Sequence, residues 1–305
     1  MNATIYVPDI ECHSCVRVIE RKLHGLQGIE KLKIASEAVD VEYDEALVKP
    51  DNIVQMIRNS GFRASTEPFD RKTMKERLRD FRENRVKYAI EWQGVKYTLI
   101  VFLLLAAFDL LLVGAFFRGI PGFWSRYGWW LFYLDLSVVT LGAALWHFTA
   151  YRAKITCMVG MMIGMIIGMQ AGLMVGSVVG AVNGFFTGAM VGMLLGAVVG
   201  GIAGHCCGIM GTLQGMMAGL MGGTMGPMIS LMMFSNNLLI FMPFFMALNV
   251  LILAGFSYMI IEEVVEHRQV ERRPADFQLF ASASLIVTAG LTLLMLYAPK
   301  SAFLG

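Results

Sequence analysis

Glycine stands at every fourth position from Gly160 to Gly208 without a break. After a slip of one residue, Gly211, Gly215, Gly219 and Gly223 resume the step. The residues between them are largely Met, Val, Ile, Leu and Ala. Overlapping G-x-x-x-G motifs in so apolar a setting let helix backbones approach closely in lipid. A helix turns every 3.6 residues, so a four-residue step rotates each glycine by about 40° from the last. The glycines therefore spiral, and each helix offers close contact to more than one neighbour. The pattern predicts a compact bundle or a homo-oligomer, with right-handed crossings.

Composition agrees with a membrane setting. The 305 residues are 56% hydrophobic and 16% charged, with a mean hydropathy of +0.61. Charge is concentrated before residue 97, near 152–154 and in 262–276. A net charge of +2 points to no polyanionic partner, and no nucleic acid is expected. Met1 to Asp9 read as a strand, so no signal peptide is expected. Five Cys are too few and too scattered for a disulfide scaffold. The pair Cys12-His13-Ser14-Cys15 points instead to metal or redox work in a reducing compartment.

The charge distribution divides the chain into three parts: a head (1–67), a charged helical linker (68–94) and a transmembrane domain (95–305) with a glycine-zipper core at 156–233. In the head, Ala3 to Val7 alternates as a strand, and Val16, Ile19, Leu23 and Leu26 recur at helical spacing. Gly25 and Gly28 close that helix. Ile29 to Ile34 and Ala38 to Tyr43 read as paired strands, with Val39, Val41 and Tyr43 on one face. Asp51 can cap a second helix carrying Ile53, Met56 and Ile57. Phe62 to Thr66 reads as a last strand. The order is βαββαβ, an α+β ferredoxin-like arrangement.

This head resembles the heavy-metal-associated domain of copper chaperones and metal-pumping ATPases. The resemblance covers about a fifth of the chain. It rests on the C-x-x-C before the first helix, on Val39-Asp40-Val41-Glu42-Tyr43 and on Gly61-Phe62. Where the family usually has Gly-Met-Thr before the first Cys, this chain has Asp9, Ile10 and Glu11; Ile10 can fill the apolar role of the Met. Two thiolates at this spacing grip a soft ion in near-linear geometry, which suits Cu(I). Glu11 resembles the zinc, cadmium and lead branch, where a carboxylate adds a harder ligand. Glu11 and His13 are therefore either further ligands or residues of a solvated loop. A thioredoxin-like redox pair is the other reading of Cys12 and Cys15, and the element order speaks against it.

The linker, rich in Arg and Lys, reads as a solvated or interfacial helix. Seven spans of about 20 residues are expected: 96–117, 129–149, 156–181, 184–204, 208–233, 238–261 and 278–298. The fold class is therefore the ferredoxin-like head plus an all-α polytopic bundle. The positive charge before the first span places the head in the cytoplasm, at a plasma or inner membrane. Arg152, Lys154, His267, Arg268, Arg272 and Arg273 agree with that orientation; Arg118 and Arg126 count mildly against it. The joins at Asn183 and 205–207 are tight, and a re-entrant pair there would change the span count.

On this topology Cys157, His205, Cys206 and Cys207 lie on the same side as the head, which suggests a thiolate relay from Cys12 and Cys15. Of 23 Met, 16 fall between 158 and 233. Met158, Met162, Met165 and Met169 line one face of a helix; Met217, Met221, Met225, Met228 and Met232 line another. Thioethers select Cu(I) or Ag(I) over Zn(II), and the M-x-x-x-M spacing resembles that of copper-uptake channels. The alternative is flexible filling against glycine. Asp109 and Asp135 are intramembrane acids at similar depth, candidates for proton exchange or for receiving the metal. Pairing with Arg118 or Arg126 is the alternative. His147, near the inner end of its span, reads as a surface residue, with a place in the entry site as the alternative, and Gln170 and Gln214 read as helix–helix hydrogen bonders.

The sequence contains no G-x-x-x-x-G-K-[ST] and no D-K-T-G-T, so ATP-driven pumping by this chain is not expected. No nucleophile–base pairing suggests an enzyme. The leading expectation is a metal-ion transporter or permease for Cu(I), with Zn(II) or another soft divalent ion (cadmium or mercury) as the alternative cargo. A soluble metallochaperone is an expected partner alongside the bilayer. A membrane-anchored metallochaperone or sensor without transport is the second reading, and a thiol-redox membrane protein the third.

Overall fold

The computed structural model describes residues 1–300 apart from 11–12, 36, 46, 70–73, 86–87, 117–122, 153–154, 234–236, 266–270 and 273–275. It divides into two compact units. One comprises Met1–Lys87 with Arg152–Thr156 and Glu263–Glu271; the other comprises Tyr88–Tyr151, Cys157–Glu262 and Arg272–Gly305.

In the first unit, β1 (Asn2–Tyr6), β2 (Ile29–Ala35) and β3 (Ala38–Tyr43) form an antiparallel sheet in the order β1-β3-β2. The register runs Ile5↔Val39 and Ala3↔Val41 on one side of β3 and Leu32↔Val41 on the other. Period-two alternation sends Val39, Val41 and Tyr43 into the core. Two helices cover that face: α1 (His13–Leu23), through Ile19 and Leu23, and α2 (Pro50–Asn59), through Ile53 and Ile57. Each of these buried aliphatic side chains contributes roughly 1.5–3 kcal/mol. Gly28 takes φ +111° between α1 and β2, a conformation that disfavours any side chain. A further helix, α3 (Met74–Glu83), lies in the linker.

Two local expectations need correction. Asp51 does not cap α2: the helix opens on Pro50, whose fixed φ and missing N–H suit the first helical position, and Asp51 falls inside the first turn. The last strand is reduced to a single bridge between Tyr6 and Ser65, so the sheet has three strands. Arg63, near the start of that stretch, gives its backbone N–H to Asp9, and the Ser65 hydroxyl accepts from Glu67 N–H, which turns the chain away.

The second unit is helical: α4 (Ala89–Phe116), α5 (Phe123–Ala150), α6 (Cys157–Asn183), α7 (Phe185–Gly204), α8 (Gly208–Met232), α9 (Leu238–Ile260) and α10 (Phe277–Tyr297). Six helical stretches are long and apolar enough to cross a membrane. One of them, Phe185–Met232, runs to 48 residues, about twice what a bilayer needs. It is bent back at the 3-10 turn His205–Cys207, so α7 and α8 are its two antiparallel limbs. The expectation of seven spans becomes six candidate stretches, one of them a hairpin. The outward faces carry Leu103, Leu111, Phe186, Ile202 and Ile240, an exterior suited to lipid and unsuited to water.

The ladder sits where α6, α7 and α8 meet. A Cβ added at Gly164 would come 2.8 Å from Gly204 Cα in α7. One at Gly168 would meet both Gly215 O in α8, at 2.5 Å, and Gly200 Cα in α7, at 3.0 Å. One turn on, at Gly172, it would meet Gly223 N in α8 at 2.4 Å. The four-residue step thus winds the glycine stripe of α6 from one neighbour to the other. The backbones themselves form the interior, and Ser230 adds a hydrogen bond to Ser177 O across α8 and α6, at 2.7 Å.

Candidate metal centres

The head presents its metal loop between β1 and α1. Cys15 lies in the first turn of α1, half-buried and packed against the core. N–H groups at a helix start favour a thiolate over a thiol. His13 opens the helix and is exposed. Cys12 and Glu11 lie outside the described residues. Ile10 is buried in the core, which is the apolar anchoring expected of it. The donor type and its place at the helix start fit a soft heavy-metal ion on the described half of the C-x-x-C.

Asp9 has a role that sequence reasoning missed. Its carboxylate accepts from Arg63 Nε at 2.7 Å and from Arg63 N–H at 2.8 Å, and it lies 2.5 Å from Arg63 Nη2. Both side chains are largely buried. This pair fastens the metal loop to the segment after Gly61-Phe62. The departure from Gly-Met-Thr therefore substitutes a charged tether at its first position. No local pattern announces it, because 54 residues separate the partners.

The second centre lies at one end of the three-helix bundle. Cys157 begins α6, and Cys206 and Cys207 form the turn between α7 and α8. Cys206 Sγ and Cys207 Sγ are 4.0 Å apart, and Cys157 is in hydrogen-bond contact with Cys207. None of these thiols, nor Cys15, is in a disulfide. Cys206 and Cys207 gather over Gly160, one helical turn from Cys157. A Cβ on Gly160 would stand 1.9 Å from Cys207 Sγ and 3.0 Å from Cys206 Sγ. The space the thiols occupy exists because residue 160 has no side chain. Among the described residues, no three His, Cys, Asp or Glu side chains already form a metal cage. The thiols are neighbours, and ligation would need them to turn toward one ion. His205 is exposed in the same turn.

The methionines do not line an interior. Met158 and Met162 are exposed, as are Met217, Met221, Met225, Met228 and Met232. Met165 and Met169 are half-buried. Gln214 Nε2 donates to Met165 Sδ at 3.3 Å, which joins α8 to α6 as expected of that glutamine. Gln170 is buried, with Oε1 lacking a hydrogen-bond partner among the described residues. The fully buried methionines Met174, Met242, Met246 and Met295 belong to neither of the two methionine faces read from the sequence.

His147 is not a surface residue: only 6% of it is exposed. Its Nε2 lies 3.8 Å from Glu91 Oε1, and Tyr151 Oη donates to that same oxygen. The expectation failed because its partner is near the start of α4, more than 50 residues away, where helical periodicity gives no warning. Arg118 and the Arg126 side chain, considered as partners for Asp109 and Asp135, lie outside the described residues. So do Lys154, Arg268 and Arg273, on which the orientation argument partly rests.

The heavy-metal-associated domain family model matches residues 4–63. That is the head, from β1 through Arg63, and it includes the loop with Cys12 and Cys15. No curated protein matches the chain, and no solved structure does. The chain thus carries a heavy-metal-associated domain followed by a helical part with six candidate membrane spans.

Proposed function

We propose that this chain is a membrane permease for a soft metal ion, with Cu(I) as the favoured cargo. The observation that carries the reading is the packing of Cys206 and Cys207 over Gly160, with Cys157 beside Cys207, on the same chain as a heavy-metal-associated domain. Thiolates pass a soft ion by ligand exchange, and a pair such as Cys12 and Cys15 is suited to deliver or receive it. In this reading the head is cytoplasmic and the membrane thiols face the same side. No catalytic step is involved.

The methionines take a different part from an interior relay. Those of α8 lie on its outer face, so thioether contact with an ion would occur at the bundle surface, against another helix or a second copy. That same observation favours a second reading, in which the bundle anchors a metallochaperone or sensor and transports nothing. Flux into proteoliposomes separates the two. Purified full-length protein should move Cu(I) or Ag(I) faster than Zn(II), and replacing Cys157, Cys206 and Cys207 by Ser should abolish the movement. Metal bound by the head with no flux of any of these ions would eliminate the permease.

A further inference from the structure

Asp109 in α4 and Asp135 in α5 are 5% and 2% exposed, inside the apolar part of their helices. Their carboxyl groups are in hydrogen-bond contact with each other. On each, Oδ1 has no hydrogen-bond partner among the described residues. Two more oxygens in that state belong to Thr288 and Thr292 of α10, which are 0% and 3% exposed.

Contacts above and below place all four side chains in one layer. Toward one end, Tyr97 of α4 packs on Phe277 of α10, and Gly142 of α5 on Phe280 and Ser284. Toward the other, Leu296 of α10 packs on the cluster of Val113 and Leu131. Asp109 falls between Tyr97 and Val113, Asp135 between Gly142 and Leu131, and both threonines between Ser284 and Leu296. Asp135 is seven residues from Gly142, about two turns, so it shares the α5 face that meets α10. Thr288 and Thr292 continue the i, i+4 row of Phe280 and Ser284 on the buried face of α10.

Two carboxyl groups in contact, out of water, hold at least one proton between them, because the bond requires an O–H donor. Unpaired negative charge at this depth is costly. Among the described residues, the neighbouring titratable groups leave the pair to itself. Tyr133 shares α5. Lys300, at the outer end of α10, is committed to Met295 O and the Tyr127 ring. The described parts of α6 and α9, which also pack on α5, carry no charged side chain facing it.

We propose that Asp109 and Asp135, with the hydroxyls of Thr288 and Thr292, form an intramembrane proton-exchange site. The pair takes up one proton to become neutral and releases it to become a monoanion. That anion shares the remaining proton and accepts from the two hydroxyls. Buried oxygens without partners are costly to leave so, and the deprotonated state is the one that would use them.

The experiment is infrared difference spectroscopy of the full-length protein in lipid, between mildly acidic and mildly alkaline pH, without heavy metal. Its result does not depend on the permease reading. A protonated-carboxyl C=O band that titrates in the wild type should be lost in both Asp109→Asn and Asp135→Asn. In the double variant Thr288→Val, Thr292→Val, which keeps both carboxyls, the band should persist at a shifted position with unchanged thermal unfolding. A wild-type spectrum without a titrating band, or one whose band survives either Asn variant, overturns the proposal. So does a band insensitive to pH but erased by sodium, which would mark a metal-cation site instead. An unshifted band in the double variant removes the threonines from the site.

Discussion

Alanine at Gly200 probes the backbone packing of the bundle most directly. A Cβ there would sit 2.4 Å from Gly215 O of α8 and 2.7 Å from Gly168 Cα of α6. Comfortable carbon contacts begin near 3.5 Å, so each neighbour would have to withdraw by about 1 Å. The two lie on different helices, and neither atom is the end of a flexible side chain. Overpacking a close-packed interior costs about 1–3 kcal/mol, and two rigid backbones place this site near about 3. Alanine recovers about 1 kcal/mol through helix propensity, leaving a net loss of about 2. Gly255 in α9 is the matched control, since a Cβ there meets nothing within 4 Å. Gly255→Ala should be neutral or stabilising by up to about 1 kcal/mol. Reversible unfolding in mixed micelles, followed by circular dichroism and recovery on gel filtration, compares the two with wild type. Equal stability of Gly200→Ala and Gly255→Ala, within about 0.5 kcal/mol, would refute backbone contact as the basis of the bundle.

Other outcomes follow from the same geometry. Gly160→Ala should force Cys206 and Cys207 apart and remove bound Ag(I) from the membrane part, measured as metal per chain, while metal in the head persists. Asp9→Asn should destabilise the head by about 1–3 kcal/mol, because it removes one of the two carboxylates on a largely buried Arg63 and leaves Glu263, 3.2 Å away, as the other; faster amide exchange in residues 7–10 of the full-length protein is the readout. Replacing Met158, Met162, Met165 and Met169 by Leu conserves volume and should change unfolding by less than about 1.5 kcal/mol. If these thioethers handle the ion, preference for Cu(I) over Zn(II) should fall in the flux assay; unchanged preference would leave them as packing.

What could be read from the sequence was what repeats locally. The alternation Val39, Val41, Tyr43 and the helical spacing of Ile19 and Leu23 each name a buried face from within one element. The four-residue glycine step told that α6 would touch two neighbours, because rotation per step is a property of the helix alone. The features that escaped depend on distant partners. Asp9 needs Arg63, His147 needs Glu91, and Thr288 needs the register of α10 against α4 and α5. The last strand failed for a similar reason, since the Asp9 tether occupies the backbone N–H of Arg63.

The ladder turns the usual distribution of bulk inside out. In α6, α7 and α8 the smallest residues face inward, while Phe186, Leu194, Ile202, Met217 and Met221 stand on the outside. An interior made of main chain holds no rotamers to flip. A passage through these three helices cannot be gated by swinging a side chain aside; it would require whole helices to slide or part as rigid rods. The turn at His205–Cys207 joins two of those rods, so any such sliding of α7 against α8 would act at the thiols.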